Sequence, residues 1–248
     1  MQSQVRTLKL VIAYDGSRYH GWQIQPNGIT IQEELQHALA AMTGENLTVF
    51  GSGRTDAGVH AWGQVAHVAT TTSIPEQGLW RGLNALLPDD IVIRSLSSVS
   101  AGFHARKSAT GKTYCYCIDN QPLANPLSRF YSWHVRKTLD MAAIRQATRQ
   151  LLGTHDFASF KAADGETATS VRTISRARVW RRSSYLLIMI HANGFLKNMV
   201  RNIVGTLYEI GLGKRGAEEM AAIVAAVDRR SAGITAPAKG LVLRSVSY

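Results

Sequence analysis

The sequence predicts an α+β protein. Three observations carry this: the chain opens on an alternating apolar stretch, helical periodicities with start and stop signals fall between further strand-like stretches, and the second half repeats the mixture.

Val5, Leu8, Leu10, Ile12 and Tyr14 lead to Asp15-Gly16, which predicts a strand over 5–14 closed by a turn. Thr30-Ile31-Gln32-Glu33 has capping-box spacing, and Ile31, Leu35, Ala38, Leu39 and Met42 then recur at helical intervals as far as Gly44. A helix is expected there. Strands are expected at 47–50 and 64–70, a proline-initiated helix over 75–87, and strands at 91–99 and 112–118. Pro122 and Pro126 among small residues make 120–128 the best linker candidate. The expected division is an N-terminal α+β half, 1–121, and a C-terminal α+β half, 122–248. In the second half, helices are expected over 139–152, 196–212 and 217–227, and strands at 171–181, 184–192 and 241–247. No residue-level repeat relates the halves. Two halves sharing one extended sheet would leave a cleft at their junction, a usual place for ligands.

At 248 residues the chain can bury a sizeable core, and 45% hydrophobic with 18% charged residues excludes a disordered protein. The longest apolar runs, such as 185–190, are far too short to cross a bilayer, and no secretory leader pattern opens the chain. A cytoplasmic protein that neither spans nor is anchored to a membrane is expected. Cys115 and Cys117 point the same way on a predicted strand and have no third cysteine to pair with, so they are expected to be reduced core residues.

Charge gives the first clue to function. A net charge of +11 suggests an anionic partner. Residues 1–124 hold 9 basic and 9 acidic side chains, whereas 125–248 hold 19 and 8, so the second half carries the whole excess. A nucleic-acid face accounts for this better than a solvated basic surface or a membrane surface does.

Three segments carry candidate chemistry. Gly51-Ser52-Gly53-Arg54-Thr55-Asp56-Ala57-Gly58-Val59-His60 surrounds an Arg and an Asp with glycines. It lacks the Lys-Ser/Thr of a phosphate loop and the following helix of a dinucleotide fingerprint, and the loop alone reads first as a polar connection turned by Asp56, with Arg54 solvated. On the helix expected at 196–212, Leu196, Met199, Val200, Ile203, Val204, Leu207 and Ile210 form an apolar stripe. Lys197, Arg201, Gly205 and Tyr208 fall on a flanking strip. Mid-helix Gly205 costs about 1 kcal/mol relative to Ala, which hints at a close neighbour. Tyr114 and Tyr116 share one face of a strand, where they are either core or a stacking surface for bases. No serine elbow and no zinc-ligand spacing is present, and His155-Asp156 and Asp89-Asp90 are too little for a two-metal nuclease.

Several motifs in fixed order resemble the bacterial tRNA pseudouridine synthase A family over nearly the whole chain. They are Tyr14-Asp15-Gly16 with Tyr19 and Gly21-Trp22-Gln23; Gly53 through Ala61; Phe103-His104-Ala105-Arg106; His155-Asp156-Phe157; Phe195 through Arg201; and Thr235-Ala236-Pro237-Ala238 with Gly240-Leu241. Cys115 departs from the basic residue of the family pattern.

The resemblance implies the pseudouridine-synthase α+β fold: two similar halves in an extended, mixed, mostly antiparallel sheet, helices packed on it and a basic cleft between the halves. It implies a homodimeric enzyme that isomerises uridine to pseudouridine in the anticodon arm of tRNA, at tRNA positions 38, 39 and 40, without metal or organic cofactor. Asp56 would be the nucleophile, attacking C6 of the base or C1′ of the ribose. Arg201 would favour its anion, since an Asp in a dry pocket otherwise tends to neutralise. Tyr114 would stack on the flipped uracil, with the phenol or a water taking the C5 proton. Arg54 would fill the gap left by that base. Phe103, His104, Ala105, Arg106 and Lys107 would contact the RNA backbone, and Leu241 would close the pocket. The rivals left open by composition are an RNA-binding protein without chemistry and a metal-dependent nuclease.

Overall fold

A computed structural model describes residues 5–165 and 167–248. The described residues form two compact units, one of 5–110 with 243–248 and one drawn from 111–242.

In the first unit, strands β1 (Arg6–Tyr14), β3 (His60–Thr70), β4 (Ile91–Val99) and, from Leu243 onward, β10 (Leu241–Ser247) run in the order β4-β1-β3-β10. The short β2 (Phe50–Gly51) also pairs with β3. β1 is antiparallel to both β3 and β4, with Leu10 opposite Ala66 and Leu96. Helix α1 (Ile31–Thr43) starts where Thr30 accepts the Glu33 N–H through its side chain and stops at Gly44 in the left-handed conformation, as its capping signals require. Its apolar face, Ile31, Leu35 and Leu39, is buried, as are Leu79 and Leu83 of α2 (Glu76–Leu86) and Leu8, Leu10 and Ile12 of β1. Each such side chain contributes about 1.5–3 kcal/mol of burial free energy, so this seam of strand and helix residues is the unit's core.

The strand expected at 47–50 shrinks to β2. The Val49 amide is satisfied by side chains of α1 instead of a ladder: its N–H donates to Gln36 and its carbonyl accepts from Gln32.

The second unit holds β5 (Gly111–Asp119), β7 (Gly153–Asp156), β8 (Val171–Arg182) and β9 (Tyr185–Ala192) in the order β5-β9-β8-β7, all antiparallel. The short β6 (Trp133–His134) lies parallel to β5, so the pairing is mixed but mostly antiparallel. Helix α3 (Met141–Arg149), capped by Asp140, packs on β8 and on helices α4 (Met199–Gly211) and α5 (Glu219–Ala225).

The 120–128 segment belongs within this unit and is no free linker. Asn120 donates to the carbonyls of Val135 and Lys137, and Asp119 accepts the Asn125 N–H. On β5 the tyrosines and Ile118 face the core, so Cys115 and Cys117 lie on the less buried side and are not core residues. Burial, then Cys115 and Asp119, push the Cys117 thiol up to about 12, which keeps it protonated.

Candidate active site

The Asp56 loop rests on a hydrogen-bonded frame built before it in the chain. Past β2, Ser52 donates its N–H to Val65 and its hydroxyl to Gln64, each at 2.7 Å, and Gln64 in turn donates to the Gly53 carbonyl at 3.0 Å. Gln64 is fully buried yet satisfied, which is what permits a polar residue in a core strand. The Thr55 carbonyl accepts the Trp22 N–H at 3.1 Å, and the Thr55 hydroxyl lies 2.8 Å from that of Tyr14. Burial pushes the Tyr14 phenol far above its ordinary range, so it remains protonated. A turn from Asp56 to Val59 then closes the loop, with Val59 N–H on the Asp56 carbonyl at 3.1 Å.

The opening motif exists to let two backbones touch. Gly21 has φ +89°, and a Cβ there would stand 2.5 Å from the Thr55 carbonyl oxygen and 3.1 Å from the Asp56 carbonyl carbon. A Cβ on Gly16 would stand 2.1 Å from the Val59 oxygen. Residues 16–22 therefore lie directly against 55–59 and fix them, while Asp56 itself stays partly exposed and Arg54 is exposed. Arg54 Nε donates to Gln23 at 2.9 Å.

The 103–107 segment is pinned in the same unit. Ala105 is buried and anchors it, donating its N–H to His67 Nδ1 at 3.1 Å and accepting the Tyr248 hydroxyl at 2.8 Å. His104 Nδ1 accepts from the N–H groups of Arg106 and Lys107, whose side chains are exposed. Lys9 lies over the rings of Phe103 and Tyr248. Burial, then His104, holds the His67 imidazole below its ordinary pKa.

In the second unit, Tyr114 packs edge-on against Phe195 with ring centres 5.1 Å apart. Tyr116 is core, donating to the Pro237 carbonyl at 2.7 Å. The apolar stripe of α4 is buried as expected, but the helix begins at Met199, because Asn198 adopts φ 61°. Lys197 therefore precedes the helix and pairs with Asp164, and Tyr208 packs its ring on Trp133. Of the expected flanking strip, Arg201 and Gly205 carry the interest. A Cβ on Gly205 would stand 1.6 Å from the Ile234 carbonyl oxygen, so another backbone does run against the helix there. Leu241 is buried at the start of β10.

The acidic pairs serve the fold. Asp90 accepts the Tyr19 hydroxyl at 2.5 Å, Asp156 accepts the Ala158 N–H, and His155 bonds the Leu152 carbonyl. Among the described residues no group of three or more His, Cys, Asp or Glu side chains is placed to hold a metal ion, and no helix is long and apolar enough to cross a membrane. Two contributors escaped the sequence reading: Gln64, signalled only by a polar residue amid core-strand positions, and Asn198.

A mostly antiparallel α+β chain that frames one carboxylate with close-packed glycines, beside an exposed arginine, is matched by a class of enzymes that modify bases in tRNA. A family model described as tRNA pseudouridine synthase matches residues 10–106 and 147–248, which takes in the Asp56 loop, Phe103–Arg106, Arg201 and Leu241 and leaves Lys107 and Tyr114 between the matched stretches. The tRNA pseudouridine synthase A of Brevibacillus brevis is 49% identical over 98% of this chain and 100% of its own length. Those of Thermoanaerobacter sp. and Geobacter sulfurreducens are 45% and 46% identical, again over 98% of this chain and the whole of theirs. The chain belongs to the tRNA pseudouridine synthase family.

Proposed function

We propose that the chain isomerises uridine to pseudouridine in tRNA with Asp56 as its nucleophile. The observation that carries this is the loop itself: a partly exposed carboxylate whose main chain is clamped by Gly16, Gly21 and Gln64, so that its position owes nothing to substrate. A preorganised carboxylate suits a reaction that must hold one half of the nucleotide while the other turns. The C1′–N1 bond breaks, C1′ bonds to C5, the C5 proton leaves and N1 gains one; product and substrate are isomers, and the Asp56 carboxylate, having added to C6 or C1′, is released.

Arg201 favours the ionised form of that carboxylate, and Tyr114 stacks on the extruded base. Extrusion costs a few kcal/mol, and Arg54, exposed beside Asp56 in the chain, offsets part of it by occupying the gap. Phe103, His104, Arg106 and Lys107, on the segment anchored through Ala105, hold the RNA backbone, and Leu241 closes the pocket. The exposed Arg176, Arg178, Arg181 and Arg182 of β8 add basic surface. The substrate region is the anticodon arm at positions 38, 39 and 40, and the enzyme works in the cytoplasm as a homodimer, which sedimentation with and without tRNA tests.

The experiment is Asp56→Asn assayed for tritium release from tRNA labelled at uridine C5 and for tRNA binding. Binding within about threefold of wild type and no release are expected; release at the wild-type rate would remove Asp56 from the chemistry.

A further inference from the structure

Arg201 is gripped from two sides within its own unit. Asn198, at the entrance to α4, accepts from Arg201 Nη1 through its side-chain oxygen at 3.1 Å. Its main-chain carbonyl accepts the Asn202 N–H at 2.9 Å and so starts the helix. It does this from φ 61°, a conformation that Asn tolerates better than other non-glycine residues. On the other side the Ala236 carbonyl accepts from Arg201 Nε at 2.8 Å, while the Ala236 N–H returns to the Arg201 carbonyl at 3.1 Å. Gly205 makes that approach possible.

We propose that Asn198 is a positioning residue for Arg201: its left-handed backbone sets the side-chain oxygen where it and Ala236 together fix the plane of the guanidinium. The proposal rests on the role of Arg201 given above. A planar fork with two of its nitrogens fixed has a defined direction for the third, whereas a flexible arginine spends most of its time elsewhere.

Two substitutions separate the acceptor from the backbone. Asn198→Gly keeps the positive φ and loses the oxygen; Asn198→Asp keeps both. Single-turnover rates on intact tRNA at saturating enzyme, tRNA affinity and Tm are measured for each. We expect Asn198→Gly to lower the rate at least about tenfold with affinity within about twofold and Tm near wild type, since loss of a hydrogen bond to a charged group has this scale. Asn198→Asp should restore the rate to within about threefold. A rate loss that tracks Tm and is not rescued by Asp would overturn the positioning role. Arg201→Gln isolates the underlying reading: an active Arg201→Gln overturns that reading, whereas an inactive Arg201→Gln beside a fully active Asn198→Gly overturns the role of Asn198 alone.

Discussion

Two hydroxyls, those of Tyr14 and of Thr55, the residue that precedes Asp56, meet 2.8 Å apart. One comes from the last position of β1, the other from the Asp56 loop, so the sheet is tied directly to that loop. Tyr14→Phe leaves the Thr55 hydroxyl buried without this partner, at a cost of about 1–2 kcal/mol. Chemical denaturation should show that loss, and the single-turnover rate should fall with it. Unchanged stability would mean that the pair contributes nothing.

Gly21→Ala should damage catalysis more than Gly44→Ala does. Both glycines have positive φ, but a Cβ at 44 meets nothing within 4 Å, whereas at 21 it meets the Thr55 carbonyl at 2.5 Å. Backbone strain of about 1 kcal/mol is common to both; the clash adds roughly 1–3 kcal/mol at 21 only. Rates of tritium release should separate them, with Gly44→Ala close to wild type. Equal rates would deny the close approach any function.

Gly205→Ala sets two effects against each other. Helix propensity favours Ala by about 1 kcal/mol. The 1.6 Å contact with the Ile234 carbonyl must push the 234–236 segment away, at roughly 2–3 kcal/mol, so the contact wins. A lower Tm and a lower rate are expected, the latter because Ala236 holds Arg201. A raised Tm would show that the segment yields freely.

Acidification should weaken the 103–107 anchor. Burial holds the folded-state pKa of His67 below the ordinary value of 6.5, so the unfolded chain binds the proton more readily. Stability from this residue is complete above that value and is lost as pH falls through it toward the folded-state pKa. Tm measured from pH 8 to pH 5 should decline, and His67→Gln should flatten part of the decline. An identical profile in the variant would exclude His67 as its source.

If the arginines of β8 meet RNA, tRNA affinity should fall steeply with salt, the log-log slope dropping by about 0.7–0.9 for each phosphate contact removed. Arg176→Gln and Arg178→Gln, measured by filter binding over a salt series, should each flatten it. A slope unaltered by both places the RNA elsewhere.

Long, periodic elements were readable from the sequence because their signals are local: the Thr30 cap and Gly44 stop delimit α1 almost to the residue. What escaped depends on partners distant in the chain. The backbone at Val49 turns to glutamines of α1 in place of a ladder, and Asn198 breaks a helical periodicity that runs unbroken through Leu196. Asp56 stood out through its glycines, but the reason for Gly16 and Gly21 appears only once residues 16–22 are seen lying on the loop. The two β6 and β7 strands, of two and four residues, offered too little pattern to detect.

The first unit draws one strand from far along the chain: residues 243–248 join the segment that runs up to residue 110, with Ser247 accepting the Thr110 N–H and Tyr248 bonding Ala105. During translation the ribosome must therefore deliver residues 111–242 before that strand can dock, and until then one edge of β3 stays open to stray pairing. Removing residues 243–248 should leave nascent chains prone to aggregate, however intact the Asp56 loop.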